Sequence, residues 1–488
     1  RLTDVTGVQT CALPIYPPWD VQELKEKEFF VGKDYDIVFA GTGNERKLLI
    51  RTLQTSDSSL YTSYRRALIV LDCSNSYIRN RYLYKLTAIG KLNLYALFAE
   101  LFLRMRKEGG RSGAIVPTGI ATDKGNSVFF KYVVENKLLS SLADFVNRGI
   151  FEKVGSLVRF CIIAFGKADK SKMLFGLTKP DQLYTKKFWM LSAPDLLLVN
   201  PNTGTAPIFD SQRDMDLVLK IYRNSKILLR EYEDGSTDNP YGISVYRQFD
   251  MSLDSDKFVR EQELIDRGYK KNWIYYEKDD ERYVPLCEGK TFYILDSRYN
   301  HAEGDIRGTP CTLEEKSDPW FFPRTRYFVK ESDCEDFYDA KGWKKAWVIV
   351  LRNIARSVNI RTLIGSVSMS LAYCHSASLV CSSNSHILMS IFNSHSFDYV
   401  ARIKYPSAYL SQFFLFQFPV PNPSKFKQLP GLDSGDAFLE DSVIRRLVKC
   451  VNYSYDMEPF VKDMGYEIEP RPWKEKERLD YMAQLDAI

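Results

Sequence analysis

The sequence predicts an α/β sheet in its first third, a mixed α+β region after it and a helical closing segment. Three observations carry this. Between residues 93 and 166, short apolar runs and a segment of helical periodicity follow one another as strand, helix and strand. After about Lys167 the texture changes to short strands, turns and aromatics, with "NPNTGTAPIF" and "STDNPYG" as turn-rich joints. From 436 to 488 the pattern turns helical again.

Taken in order, residues 21–88 are polar and charged, with helical patches around 21–30 and 45–55, and read as an insertion rather than core. From Asn93 the pattern sharpens: Leu94, Leu97, Phe98, Leu101, Phe102 and Met105 follow the i, i+3, i+4, i+7 spacing expected of one buried helical face. Asn93 suits an N-cap, and Gly109-Gly110 are expected to close the helix. "SGAIVP" reads as a buried parallel strand. A helical segment follows near 127–136, then "LSSLADF" and "SLVRFCIIAFG" supply two more strands. "WKEKERLDYMAQLDAI" stops in mid-pattern without a cap, so the C-terminus is expected to be truncated.

A chain of 488 residues has room for two or three domains. Its 45% hydrophobic and 26% charged residues exclude disorder as the default. A net charge of +5 suits a polyanionic partner but falls well short of a histone-like binder. Nine cysteines without a Cys-x-x-Cys pair, beside four histidines, argue against structural zinc, and no metal is expected. The cysteine pattern fits a reducing, cytoplasmic setting. No apolar run approaches the roughly 20 residues needed to cross a bilayer, so no membrane partner is expected.

Residues 5–15, "VTGVQTCALPI", look like the translation of a sequencing-library adapter. If the adapter's last T replaced the first base of an AAT or AAC codon, the product is TAT or TAC, and Tyr16 stands where asparagine belongs. On this reading residues 1–15 lie outside the fold and the chain begins in mid-domain. The alternative is a genuine extended N-terminus, although the segment shows no periodicity.

The first chemical candidate is "YPPWD", residues 16–20. Methylating an exocyclic amino group requires acceptors that orient the NH2 so that its lone pair can attack an electrophilic methyl. An asparagine carbonyl and the backbone carbonyl of the first proline serve, in a turn that the proline rings fix. An aromatic in fourth place stacks on a flipped base. Pro17, Pro18 and Trp19 fit these roles; a rigid loop with a buried indole would use the same residues.

The stretch from "GKLNLYALFAELF" to "SLVRFCIIAFG", residues 90–166, resembles the second half of the catalytic domain of amino-group DNA adenine-N6 methyltransferases, most of all the type IIG restriction-modification enzymes and related phage-defence methylases. In that family the amino-binding motif is Asn-Pro-Pro-Trp or Asn-Pro-Pro-Tyr, and this sequence departs from it at Tyr16. The resemblance implies a Rossmann-like methyltransferase sheet over 16–167, interrupted by the charged insertion at 21–88. It implies S-adenosylmethionine as cofactor, with Leu94, Tyr95 and Phe98 as candidates for its pocket. Phe151, in "NRGIFEKVGS", matches the aromatic on the second face of the flipped adenine, and Lys153 lies beside it.

The likeness continues through "CEGKTFYILDSRYN", "RNIARSVNIRTLIGSV" and "NSHSFDYVARIKYPSAYLSQFFLFQFPVP", which look like parts of a target-recognition region over 168–435, with 436–488 as a helical C-terminal segment. It implies double-stranded DNA as partner. Arg352, Arg356 and Arg361, with Lys341, Lys344 and Lys345 upstream, could meet phosphates and guanine edges; a solvated helical face would account for them as well.

One stretch competes. "DYDIVFAGTGNERK", residues 34–47, has the look of a strand, a glycine turn and a helix start, the shape of a methyl-donor loop. The family's own donor loop would precede Tyr16, so the chain as given is expected to be inactive. Two other functions stay open: a glutamine-modifying protein methyltransferase, against which the large region after Lys167 argues, and a non-catalytic DNA specificity protein.

Overall fold

The computed structural model describes residues 18–80, 82–152, 154–156, 158–303, 308–355, 359–404 and 410–488. It is a mixed α/β structure of several sheets and helices. Its contacts divide into two units, the first ending at Gln212 and the second running from Arg213 to Ile488.

The first unit opens with a helical excursion: α1 (Glu26–Phe30), α2 (Tyr35–Phe39), α3 (Gly43–Ser56) and α4 (Ser58–Asn80). These helices bury Phe30, Ile37, Ile50, Leu53 and Tyr64 against one another, a small core of their own. The excursion leaves and returns at one place, because Gln22 N–H donates to the Leu92 carbonyl (2.9 Å) and Leu94 N–H to that of Asp20 (3.0 Å). The insertion expected from its charge is therefore a folded helical element.

Within it the donor-loop reading of 34–47 fails. Tyr35–Phe39 is a helix, not a strand, started by the Asp34 side chain accepting from Ile37 N–H. Thr42 and Glu45 form a reciprocal cap on α3. Glu45 Oε2 accepts from the amides of Gly41 (2.7 Å) and Thr42 (3.3 Å), two of the donors that an anion would need.

The sheet is built from β1 (Ser112–Pro117), β2 (Leu139–Val146), β3 (Arg159–Phe165), β4 (Lys170–Leu177) and β5 (Trp189–Ser192) in the order β1-β3-β2-β4-β5. The "SGAIVP" strand is real, but its pairing is antiparallel, with Ala114 opposite Ile163 and Val116 opposite Cys161. β3 lies between β1 and β2 and runs against both. β1 also alternates between buried and less buried positions, the mark of a strand covered on one face. The parallel pair is β2 with β4. Since β4 and β5 continue this sheet, the first unit extends well past the boundary expected at Lys167.

α5 (Leu94–Met105) packs on β1, burying Tyr95, Ala96, Leu97, Ala99, Glu100 and Leu103. Of the face expected to be buried only Leu97 is; Leu94, Phe98, Leu101 and Phe102 are half-buried and Met105 is exposed, because a helix apolar nearly all round does not single out one face by its spacing. Asn93 occupies the cap position without a side-chain cap bond, and its amide donates to the Lys91 carbonyl instead. The helix ends at Met105, ahead of the glycine pair.

In the second unit the strand Trp347–Arg352 is central to an antiparallel sheet with Gly365–Met369, Ala377–Cys381 and Ser244–Tyr246. Its side chains alternate between two cores: Trp347, Ile349 and Leu351 enter one, Val348 and Val350 the other. The first core is completed by Ser385–Asn393 and the closing helices Leu439–Val451, Glu458–Asp463 and Glu475–Ala487, as the helical end of the sequence predicts. No helix among the described residues is long and apolar enough to cross a membrane.

Candidate functional site

Trp19 and Phe151 are brought together by different means. Trp19 sits at the outer edge of β1, its indole Nε1–H donating to the Ile115 carbonyl at 3.4 Å. Phe151 rides on the loop between β2 and β3. Both are half-buried. Their ring centroids are 5.6 Å apart at an interplanar angle of 75°, an edge-to-face contact.

Phe160 is the floor beneath them. Its centroid lies 4.8 Å from Phe151 and 6.1 Å from Trp19. The β2–β3 register sets it opposite Phe145, on which it stacks at 5.1 Å and 6°. With Ile115 and Leu177 these rings form a continuous apolar cluster. A planar base between two faces needs centroids about 7 Å apart, twice a stacking distance. At 5.6 Å and edge to face, Trp19 and Phe151 fill that space with each other and leave no slot for a planar ring between them.

The loop carrying Phe151 is organised by Asn147, fully buried at 0% exposure. Its Oδ1 accepts from Phe151 N–H (2.8 Å), and its Nδ2 donates to the carbonyls of Phe151 (3.0 Å), Val154 (2.8 Å) and Gly155 (3.3 Å). At the base of the same strands, buried Asp144 takes a short ion pair from Arg159 and accepts from the Thr118 hydroxyl (2.7 Å) and Gly176 N–H (3.0 Å). The sequence reading missed Asn147, Phe160 and Asp144. Of these, only Asn147 left a local signal, standing two residues ahead of a glycine in "NRGIF".

The three cofactor candidates share α5. Leu94 and Phe98, one helical turn apart, are half-buried. Tyr95 is buried, its hydroxyl accepting from Asn126 Nδ2 at 3.1 Å, and burial pushes its phenol up to about 12. Leu94 and Phe98 offer apolar surface only. None of the three brings a charged group. Tyr16, Pro17, Lys153 and Arg356 lie outside the described residues, while Pro18 is half-buried.

Arg352 and Arg361 do not sit on a helical face. Arg352 ends the central strand of its sheet, its guanidinium donating to the Gly289 carbonyl (2.6 Å) and closely to that of Phe292. Burial holds it below the ordinary arginine pKa. Arg361 is 5% exposed and donates to the Asn393 carbonyl. Both are committed inside the second unit. Lys344 and Lys345 pair with Asp339 (2.5 Å) and Asp463 (2.7 Å), and Lys341 lies over the Tyr246 ring.

One trio of metal-ligand residue types converges among the described residues: His301, Cys311 and Glu315, within 4.8 Å. Arg324 N–H donates to His301 Nδ1 (3.0 Å), so the neutral ring carries its proton on Nε2 and donates it to Glu315 (3.2 Å). A metal on Nε2 would need the opposite tautomer, and the trio is better described as a histidine–carboxylate bond.

No family model and no curated protein matches the chain. Solved structures do. It is similar to the type IIG restriction endonuclease BpuSI at 13% identity, over 87% of this chain and 51% of that one, with a TM-score of 0.28. It is similar to the type IIL restriction-modification enzyme MmeI in complex with DNA at 10% identity, over 85% and 51%, with a TM-score of 0.40. A third is the ATP-dependent type ISP enzyme LlaBIII bound to DNA, at 10% identity over 78% and 28%, with a TM-score of 0.35. The chain spans about half the length of the first two. A likeness at this level carries no activity from those enzymes to this chain.

Proposed function

We propose that this chain is a portion of a site-specific DNA adenine-N6 methyltransferase of a restriction-modification or phage-defence system, with its recognition region. The observation that supports it is the adjacency of Trp19 and Phe151, which the motif resemblance pairs across a flipped adenine and whose rings stand 5.6 Å apart although the residues are 132 positions apart in the chain.

The base would replace the edge-to-face contact of the two rings with two stacked contacts, each worth about 1–3 kcal/mol. That offsets the few kcal/mol of unpairing. The Ile115 carbonyl holds the indole at one wall, Asn147 holds the loop at the other, and Phe160 closes the floor against water. An asparagine at position 16, with the Pro17 carbonyl, would accept from the adenine amino group and orient its lone pair. S-adenosylmethionine supplies a methyl activated by its own sulfonium. Leu94 and Phe98 would hold its apolar part; the neutral Tyr95 phenol, committed to Asn126, serves as wall rather than base. The second unit would read the DNA.

The test restores Tyr16→Asn within a full-length parent that supplies the preceding methyl-donor loop (the Tyr16→Asn protein) and follows tritiated methyl into DNA and into protein. Label in DNA, at adenine N6, is expected. Label in protein alone overturns the substrate, and label in neither, with DNA still bound, favours a non-catalytic specificity protein.

A further inference from the structure

The loop that carries Phe151 contains a buried side chain whose hydrogen bonds all serve that loop. Asn147 has no exposed surface, and both the N–H and the carbonyl of Phe151 bond to its amide, at 2.8 and 3.0 Å. The same Nδ2 reaches Val154 and Gly155, tying the far side of the loop to its start. Gly149 makes the intervening turn at φ 85°, in the left-handed region, with nothing within 4 Å of a Cβ placed there. Its requirement is therefore one of backbone conformation, not space.

With both backbone polar groups of Phe151 held by one side chain, the residue's φ and ψ are set locally, and the direction of its Cα–Cβ bond with them. We propose that Asn147 is the positioning residue that aims the Phe151 ring at Trp19, and that a base enters by rotation of the rings while this loop stays fixed. The second clause rests on the proposed function; the first rests on geometry alone.

Asn147→Ala removes both halves of the amide. Asn147→Asp keeps the volume and the acceptor for Phe151 N–H but turns a carboxylate oxygen toward three carbonyls. Gly149→Ala strains the same loop through its backbone, leaving Asn147 in place. Amide hydrogen exchange is read over 147–158, with β2 and β3 as internal reference. Both Asn147 variants should exchange at least about tenfold faster in the loop, since one net hydrogen bond corresponds to roughly a fivefold change in opening. Gly149→Ala should act in the same direction, and the strands should stay protected. In the Tyr16→Asn protein, the Asn147 variants should raise KM for DNA more than they lower kcat.

Unchanged loop exchange overturns the positioning role outright. Faster exchange with unchanged DNA methylation, while Phe151→Ala abolishes it, overturns that role and leaves the methyltransferase reading standing. DNA methylation indifferent to Phe151→Ala as well overturns that reading.

Discussion

Trp19 donates its indole N–H to the carbonyl of Ile115, a residue 96 positions later on the outer edge of β1. The ring is thus fixed by the sheet rather than by its own turn. In the Tyr16→Asn protein, Trp19→Ala should lower kcat/KM for DNA by roughly 5- to 150-fold, the equivalent of one lost stack of about 1–3 kcal/mol. Trp19→Phe keeps a stacking face and should retain most of the activity. Equal loss in both variants would assign the effect to the N–H and not to the ring.

Asp144 and Arg159 predict an asymmetry. Asp144 is wholly buried, and Arg159 is its charge partner. Arg159→Met leaves a buried carboxylate with two neutral donors and should cost the first unit about 3–5 kcal/mol, as for other broken buried pairs. Asp144→Asn removes the charge along with the pairing and should cost clearly less. Urea unfolding of both variants checks the order.

His386 predicts a pH dependence in the second unit. Burial holds its imidazole below the ordinary value, against the opposing pull of its hydrogen bond to Glu440 (2.7 Å) and with a smaller push from Lys345 and Lys427. The unfolded chain takes up this proton near pH 6.5 and the folded chain only at lower pH. Stability from this group is therefore complete above about pH 6.5 and declines as the pH falls through that value. The urea midpoint should drop between pH 7 and 5.5, and His386→Gln should flatten the drop.

Arg352 separates structure from recognition. Its guanidinium bonds to the carbonyls of Gly289 and Phe292, so Arg352→Ala should lower the stability of the second unit. The slope of log affinity for DNA against log salt should not change, because no phosphate contact is lost. A shallower slope by about one unit, with stability intact, would return Arg352 to the DNA surface.

Legibility followed the range of the interaction. The existence of α5, β1, β2 and β3 was readable because periodicity and apolar runs are local properties of Leu94 to Phe165, but the buried face of α5 was not: the helix is apolar nearly all round, and it turns Tyr95, Ala96, Ala99 and Leu103 inward instead of Phe98, Phe102 and Met105. The direction of β1 was not, since it depends on β3, some 45 residues later, entering between β1 and β2. The adjacency of Trp19 and Phe151 could be expected only through resemblance; no local pattern relates position 19 to position 151. Arg352 and Arg361 looked like surface charge because a sequence does not say where backbone carbonyls will need donors. Asn147 passed unread for the same reason, as its partners are main-chain groups common to every residue.

Asp20 to Gln22 and Leu92 to Leu94 are laced side by side, and between them α1–α4 fold on a core of their own, while Leu86 and Thr87 return to the buried Glu100 carboxylate on α5. For the rest of the first unit, the helical stretch behaves as a stitched-on cassette whose length hardly matters, since doubling a loop adds only about 0.6 kcal/mol of closure entropy. Swapping α1–α4 for a short turn, with residues 83–92 kept, should leave Trp19 beside Phe151, and the natural length of the helical stretch is one the sheet never has to sense.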